Sequence, residues 1–237
     1  MTGISFADKL LPDQPEHTNL FAGDNGTLHG RLYQTILDAS GIKSPLEEFE
    51  LTLTEKFTLA EMASNPVNLR LLQLLIRMIG ARQILEIGAF VGLSTMAMAK
   101  ALPPGGKVTS IEKFDHFAEI CRTNFKKNGL DDTIRLLQGD AMDLIPQLPK
   151  EQSFDFIFID GNKECYREYF ESLESCLAPR GLIVVDDVFF HGDVLNATPR
   201  TAKGKGAYEF LQRAAQASAY QRLLLPVSNG MMLMFKS

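Results

Sequence analysis

The stretch "QILEIGAFVGLSTMAMAKAL" (residues 83–102) combines a short apolar run, a turn with two glycines and a helical pattern. The apolar run at 83–89 is typical of a strand that is buried on both faces. Gly88 and Gly92 allow a tight backbone turn after it, and we expect a helix to begin near Ser94. The stretch therefore predicts a strand, a glycine turn and a helix in direct succession.

The same alternation continues along the chain. Four more apolar runs predict strands at 107–112, 133–140, 154–160 and 181–187. Helices are predicted at 94–102, 115–128, 141–148 and 164–178, and a last one at about 206–218. Such alternation with continuous apolar strands indicates an α/β protein with a parallel sheet covered on both faces. The segments "QRLLLPV" and "GMMLMFK" flank Ser228-Asn229 and predict a closing antiparallel pair.

The part of the chain before this core has a different organisation. Residues 1–30 are rich in Pro, Gly, Asn and Asp, and we expect them to form an N-terminal arm. Two short amphipathic patterns and an apolar helix at 66–80 predict helical structure over 31–80. We therefore expect one domain over 31–237, with its core at 81–237.

Composition excludes several classes of function. The chain has 237 residues, a formal charge of −5 and a pI near 5.4, which argues against a broad nucleic-acid or anionic-membrane surface. Its three cysteines show no C-x-x-C spacing and suggest neither a disulfide framework nor a zinc site. The N-terminus has no signal-peptide pattern, and no apolar run approaches the ~20 residues of a membrane span. We expect a cytoplasmic protein with no nucleic-acid or membrane partner.

Each of the five predicted parallel strands ends in a carboxylate. These acids are Glu86, Glu112, Asp140, Asp160 and the pair Asp186-Asp187. Ligands of an open α/β sheet bind at this edge, and an acid about twenty residues after the glycine turn, as Glu112 is, usually binds ribose hydroxyls. Any one of these acids could simply end a strand or cap a helix. Together with the glycine turn, they favour a nucleotide-type cofactor.

The glycine turn distinguishes NAD from S-adenosylmethionine (SAM). A dinucleotide pyrophosphate requires glycines at G-x-G-x-x-G spacing. Here Ala89-Phe90-Val91 separates the two glycines. Glu86 just before the turn would repel a pyrophosphate but suits the ammonium group of an amino-acid cofactor. We therefore expect SAM.

Five segments carry a resemblance to a known family. They are "LEIGAFVGLST" (85–95), "IEKF" (111–114), "GDA" (139–141), "FIFIDGNKECYREY" (156–169) and "GLIVVDDVFFHGDV" (181–194). From about Leu32 to the C-terminus the chain resembles the class I SAM-dependent, cation-dependent O-methyltransferases, the caffeoyl-CoA and catechol O-methyltransferase group. The resemblance implies a Rossmann-like fold with a seven-stranded, mostly parallel sheet, one antiparallel strand, helices on both faces and extra N-terminal helices that carry a lid.

The resemblance also implies a set of cofactor-binding residues. Glu86, Gly88 and Ser94 would hold the methionine end of SAM, and Glu112 would bind the ribose. The other positions implied to lie around the cofactor are Asp140 and Ala141 at the adenine, Met62 and Ser64 in the lid, and Ala89, Lys113 and Asp160.

Asp160, Asp186 and Asp187 match the family's three metal ligands, and Mg²⁺ is the expected ion, with Mn²⁺ or Ca²⁺ as alternatives. Lys163 matches the lysine that acts as general base, and His191 matches a substrate-facing position. We expect a nearby cation and partial burial to lower the pKa of Lys163 toward a useful range.

The chain departs from the family pattern at four places. Asp187 stands where the family usually has Asn, and Asn162 replaces the second acid of D-A-D-K. The segments 67–70 and 226–230 also differ, the second lacking the usual Gly-Asp-Gly. We expect these changes to affect the substrate or lid contacts.

The resulting expectation is a SAM-dependent O-methyltransferase acting on a catechol-like diol, a small hydroxylated aromatic molecule chelated to a divalent cation. One alternative is a SAM-dependent enzyme for a different hydroxylated metabolite. Another is a SAM-binding scaffold without activity. Members of the family are commonly homodimers, and we expect the same here.

Overall fold

The computed structural model describes residues 28–53, 64–149 and 153–237. Most of the predicted arm, together with the lid residue Met62, lies outside these ranges. Within them, no helix is long and apolar enough to cross a membrane.

Seven strands of the described residues form one sheet. They are β1 (Gln83–Ile87), β2 (Lys107–Glu112), β3 (Ile134–Gln138), β4 (Phe154–Ile159), β5 (Leu177–Val185), β6 (Tyr220–Leu225) and β7 (Met231–Lys236). Their order across the sheet is β3-β2-β1-β4-β5-β7-β6. The first five strands pair in parallel, and β7 pairs antiparallel with both β5 and β6. The predicted sheet with one antiparallel strand is confirmed.

Eight helices surround the sheet in the described ranges. They are α1 (Leu28–Ser40), α2 (Pro45–Glu48), α3 (Pro66–Ile79), α4 (Leu93–Ala99), α5 (Asp115–Lys127), α6 (Ala141–Leu144), α7 (Tyr166–Leu173) and α8 (Ala202–Ala215). Short 3-10 turns follow at Ile145–Gln147, Lys163–Cys165 and Asp193–Leu195.

Alternate residues of the central strands supply two hydrophobic cores. Ile84 in β1 and Phe156 in β4 face the core that includes Leu72 of α3. Their neighbours Leu85 and Ile157 face the opposite core, built on α7 and α8. Because both faces are buried, the central strands are mostly apolar, which is why their positions could be predicted from the sequence.

The ends of α3 show why this helix forms where it does. Asn65 precedes it, and its side-chain oxygen accepts hydrogen bonds from the backbone N–H groups of Val67 (2.8 Å) and Asn68 (3.1 Å). Pro66 occupies the first turn, and Gly80 ends the helix in the left-handed conformation with φ of 68°. The predicted helix at 66–80 is confirmed, and its first turn lies next to the ends of β5 and β6.

Three predicted boundaries are wrong. β5 begins at Leu177 rather than 181, because Leu177 pairs with Phe154 before a register shift in the ladder. The preceding helix α7 accordingly ends at Leu173. α8 begins at Ala202 rather than 206, because the Thr201 hydroxyl accepts a hydrogen bond from the Gly204 N–H (2.9 Å) and caps it.

Candidate active site

The parallel register brings the strand-end acids to one edge of the sheet. Ile159 of β4 pairs with both Ile87 of β1 and Val185 of β5, so the residues that follow these strands are neighbours. Asp160 therefore lies between the glycine turn after β1 and the pair Asp186-Asp187 after β5.

The glycine turn packs directly against the end of β4. Gly88 has φ of 94°, and a Cβ atom there would lie 2.5 Å from the backbone oxygen of Asp160. Only glycine permits both this conformation and this approach. The turn thus sets the distance between the predicted cofactor loop and Asp160.

Glu86 is fully buried beneath this turn. Its carboxylate accepts hydrogen bonds from three hydroxyls, those of Ser94 (2.6 Å), Ser110 (2.5 Å) and Thr95. Burial raises the pKa of Glu86 to about 7, even though the three hydroxyl contacts favour the ionised form. In this arrangement Glu86 fixes the start of α4 through Ser94 and Thr95.

Glu112 supports the backbone of the same turn. Its Oε2 atom accepts from the N–H groups of Ala89 (3.1 Å) and Phe90 (2.9 Å), and its Oε1 accepts from Phe114 (2.9 Å). The predicted ribose acid therefore sits at the glycine turn, where its carboxylate holds the loop in shape.

The predicted adenine residues lie at the ends of β2 and β3. Lys113 donates to the Asp140 carboxylate at 2.7 Å, and the Asp140 side chain also caps α6 by accepting from Met142 N–H (2.9 Å). These contacts, the Lys113 contact first, lower the pKa of Asp140. Ala141 is buried beside them.

Lys163 lies between two carboxylates. Its Nζ is 2.8 Å from Asp160 Oδ1 and 3.3 Å from Asp187 Oδ2. Burial favours a lower pKa for Lys163, but the charges around it, Asp160 foremost, hold the pKa well above its usual range. Direct contact with the two carboxylates thus outweighs burial here, whereas the lowered pKa that we expect beside a bound cation stays a prediction.

Asp186 and Asp187 have different surroundings. The Asp186 carboxylate is 5% exposed and accepts from Asn68 Nδ2 and from the Asp187 N–H (2.8 Å). Burial, reinforced by Asp160, raises the pKa of Asp186 to about 7. Burial also raises the pKa of Asp187, and the positive charge of Lys163 partly offsets this rise.

Two features of Asp160, Asp186 and Asp187 suit a hard cation: their ligand atoms are carboxylate oxygens, and one of these oxygens has no hydrogen-bond partner among the described residues. Asp187 Oδ1 is buried and accepts no hydrogen bond from any described residue. Carboxylate oxygens are the ligands that Mg²⁺ and Ca²⁺ prefer. In the described ranges, however, no three His, Cys, Asp or Glu side chains converge as a ready-made ligand cluster. The structure thus brings the predicted ligands to one edge, with the Lys163 ammonium between two of them.

Comparison with known proteins identifies the family. The model of the O-methyltransferase family matches residues 39–237. The chain belongs to this family. A catechol O-methyltransferase from Niastella koreensis is 37% identical over 143 residues, which are 60% of this chain and 65% of that protein. A caffeoyl-CoA O-methyltransferase from Populus kitakamiensis is 32% identical over 156 residues, covering 64% of this chain and 66% of that protein.

The match thus spans slightly less than two thirds of the length of these two curated relatives. The crystal structure of TomG, an O-methyltransferase from Streptomyces achromogenes solved in complex with SAM, has a TM-score of 0.77 and 29% identity. That comparison covers 86% of this chain and 95% of the other. The fold of this O-methyltransferase family member therefore agrees with the Rossmann-like expectation.

The remaining predicted residues of this family member lie around the same edge. His191 is exposed, has φ of 54° and packs edge-to-face on Phe190 at 5.1 Å between ring centroids. Ser64 lies just before the Asn65 cap of α3. Asn162, at the family's acid position, caps the turn that carries Lys163.

Sequence reasoning missed three groups of this family member's site. The Tyr166 hydroxyl donates to the Asp186 backbone oxygen at 2.9 Å. The segments of Asn68 and Ser228 were identified only as departures; Asn68 contacts Asp186, and Ser228 contacts Asn68. A polar residue in the first turn of a largely apolar helix was the available signal for Asn68.

Proposed function

We propose that this protein is a SAM-dependent O-methyltransferase that methylates one hydroxyl of a catechol-like molecule held by a divalent cation. The observation that carries the proposal is the contact of Lys163 with Asp160 and Asp187 next to the glycine turn. Family membership and the names of the relatives support the reaction type.

The cofactor would lie along the edge formed by the ends of β1, β2 and β3. Ser94 would face its amino-acid end, Glu112 its ribose, and Asp140 with Ala141 its base. SAM, when bound, would supply a methyl group on a sulfonium sulfur. An acceptor oxygen would take up this methyl group in line as its bond to sulfur breaks, with S-adenosylhomocysteine as the leaving group. The protein residues contribute mainly by holding this geometry.

Asp160, Asp186 and Asp187 would hold the cation, with Mg²⁺ as the expected ion. A divalent cation, when bound, lowers the pKa of a hydroxyl that contacts it. The orphaned Asp187 Oδ1 atom and the all-oxygen ligand set support this part of the proposal.

Lys163 would accept the proton of the reacting hydroxyl. The attraction of Asp160 and Asp187 now keeps the ammonium charged, while burial opposes it. Any ligand that takes up the negative charge of the two carboxylates leaves burial as the stronger influence, which favours the neutral amine. Lys163 Nζ would then be a base located at the site of chemistry.

A second candidate keeps SAM but changes the acceptor to another hydroxylated metabolite. Asn68 and Ser228 belong to the two departing segments; Asn68 contacts Asp186, and Ser228 contacts Asn68. Changes at this place would alter the acceptor side while leaving the cofactor side intact.

Labelled methyl transfer from SAM to a catechol panel tests the proposal. The panel contains caffeic acid, caffeoyl-CoA and flavonoid diols, each assayed with Mg²⁺, with excess chelator and after Mg²⁺ is restored. We expect a methylated product that disappears with chelator and returns with Mg²⁺. If a product forms equally well with chelator, the proposed requirement for a cation is contradicted. Confirmed SAM binding without any product favours the second candidate.

A further inference from the structure

A chain of hydrogen bonds links α3, the end of β5 and the turn between β6 and β7. Asn65 Nδ2 donates to Ser228 Oγ at 2.6 Å, and Ser228 Oγ donates to Asn68 Oδ1 at 3.2 Å. Asn68 Nδ2 then donates to both carboxylate oxygens of Asp186, at 3.1 and 3.3 Å. The two segments that depart from the family pattern therefore contact each other, and through Asn68 they connect to a single carboxylate.

This chain is shielded from solvent. Asn68 is 1% exposed, and Ser228 is 8% exposed. A buried amide is costly unless both its oxygen and its nitrogen have partners, and here both do. Ser228 also has φ of 49°, a conformation that costs a non-glycine residue energy and persists only where surrounding contacts stabilise it.

The hydrogen bonds give the Asn68 amide one orientation. Its oxygen accepts from Ser228, so its nitrogen is directed to Asp186. Asn65 holds Ser228 from the other side and is itself fixed as the cap of α3. The amide is thus anchored at the helix end and at the turn.

We propose that Asn68, oriented by Ser228, is a positioning residue that sets the direction of the Asp186 carboxylate. The inference rests on the proposed function, in which Asp186 is one of the cation ligands. Groups that hydrogen-bond a metal ligand commonly change metal affinity 10- to 100-fold when removed. The two segments that differ from the family pattern, 67–70 and 226–230, would then act together to position Asp186 on the acceptor side of the site.

The test compares Mn²⁺ affinity, measured by electron paramagnetic resonance of free Mn²⁺, in wild type and variants. Asn68→Leu removes the amide but keeps a side chain of similar volume. Ser228→Ala keeps the Asn68 amide but removes the hydroxyl that orients it. Gln73→Leu is the matched control, because Gln73 is also buried on α3 but donates to the Ala97 backbone oxygen, away from the site.

We expect Asn68→Leu to weaken Mn²⁺ binding about 10-fold or more and Ser228→Ala several-fold. The Gln73→Leu variant should bind Mn²⁺ as wild type does, and S-adenosylhomocysteine affinity should stay within about twofold in all variants. A purely structural role for Asn68 would lower thermal stability without this selective loss of Mn²⁺ affinity.

Two outcomes overturn the inference in distinguishable ways. If wild type binds no Mn²⁺, the cation part of the proposed function fails and this inference fails with it. If wild type binds Mn²⁺ but Asn68→Leu and Ser228→Ala bind it equally well, only the positioning role fails. Should Asn68→Leu not fold, Ser228→Ala decides alone, with unchanged Mn²⁺ affinity counting against the inference.

Discussion

At the scale of single residues, the centre of the site is a lysine held by two carboxylates. Lys163, Asp160 and Asp187 are each largely buried, with side chains 15–21% exposed. Asp187 adopts φ of 57°, and its Oδ1 atom accepts no hydrogen bond from the described residues. An unpartnered buried oxygen and a left-handed backbone are both costly, and such costs are often found at functional sites.

Asp187→Asn should weaken cation binding by about 10-fold, since the change keeps an oxygen but removes a charge. Titration calorimetry with Mg²⁺ measures this. The matched control is Asp143→Asn, which removes an exposed carboxylate on α6 and should leave the affinity unchanged. Tighter cation binding by the Asp187 variant would refute the prediction.

Lys163→Ala should lower kcat by about 10²- to 10⁴-fold, the range expected for loss of a general base. Cation affinity should stay equal or rise, because the ammonium no longer competes for Asp160 and Asp187. Steady-state kinetics and calorimetry give the two quantities, with exposed Lys205→Ala of α8 as the control. A drop in cation affinity together with unchanged kcat would indicate a purely structural lysine.

At the scale of elements, α8 supports the turn that carries Lys163. A Cβ atom at Gly206 would clash with the Lys163 backbone oxygen and would lie 2.6 Å from Glu164 Cα. Asn162 caps the same turn from the other side. A glycine near the start of a helix, unfavourable by propensity, is therefore required here by a backbone contact.

Gly206→Ala should destabilise the protein by about 1–3 kcal/mol, although alanine is the better helix former by about 1 kcal/mol. It should also lower kcat, because the backbone of Lys163 must shift. Chemical denaturation and kinetics test both effects, and Lys203→Ala at an exposed position of α8 serves as the control. An increase in stability would show that the turn carrying Lys163 can shift without an energetic penalty.

At the scale of the whole molecule, the fold buries acidic side chains, among them Glu86 and Asp186. Glu86 is completely enclosed, and Asp160 adds to the effect of burial on its pKa. A carboxyl whose pKa is raised on folding stabilises the protein fully below its unfolded pKa. This contribution is lost as the pH rises through the folded value.

For Glu86 the window runs from its ordinary value of 4.5 to about 7. The free energy of unfolding of wild type should therefore fall from about pH 4.5 to about pH 7, with Asp186 acting in the same direction. Glu86→Gln should reduce this fall by roughly 1–3 kcal/mol. Urea denaturation across this range measures it, and identical pH profiles for the two proteins would contradict the raised pKa.

The sequence allowed much of the fold to be predicted but less of the site. The buried strands and the turn at Gly88 were identified because their patterns are local. The start of α8 was missed because glycines in a first turn obscure a helical pattern. The contact of Lys163 with Asp187 was missed, because it joins separate elements of the fold.

By itself, the sequence determined the α/β class, the sheet with its closing antiparallel pair and the strand-end acids, because apolar periodicity and turn residues act over short distances. Only the tertiary structure showed that Lys163 lies between two carboxylates and that Asn68 contacts Ser228 and Asp186. Asn68 is 160 residues from Ser228 and 118 from Asp186 along the chain. Contacts of such separation depend on how the whole sheet and its helices pack, which no local pattern encodes.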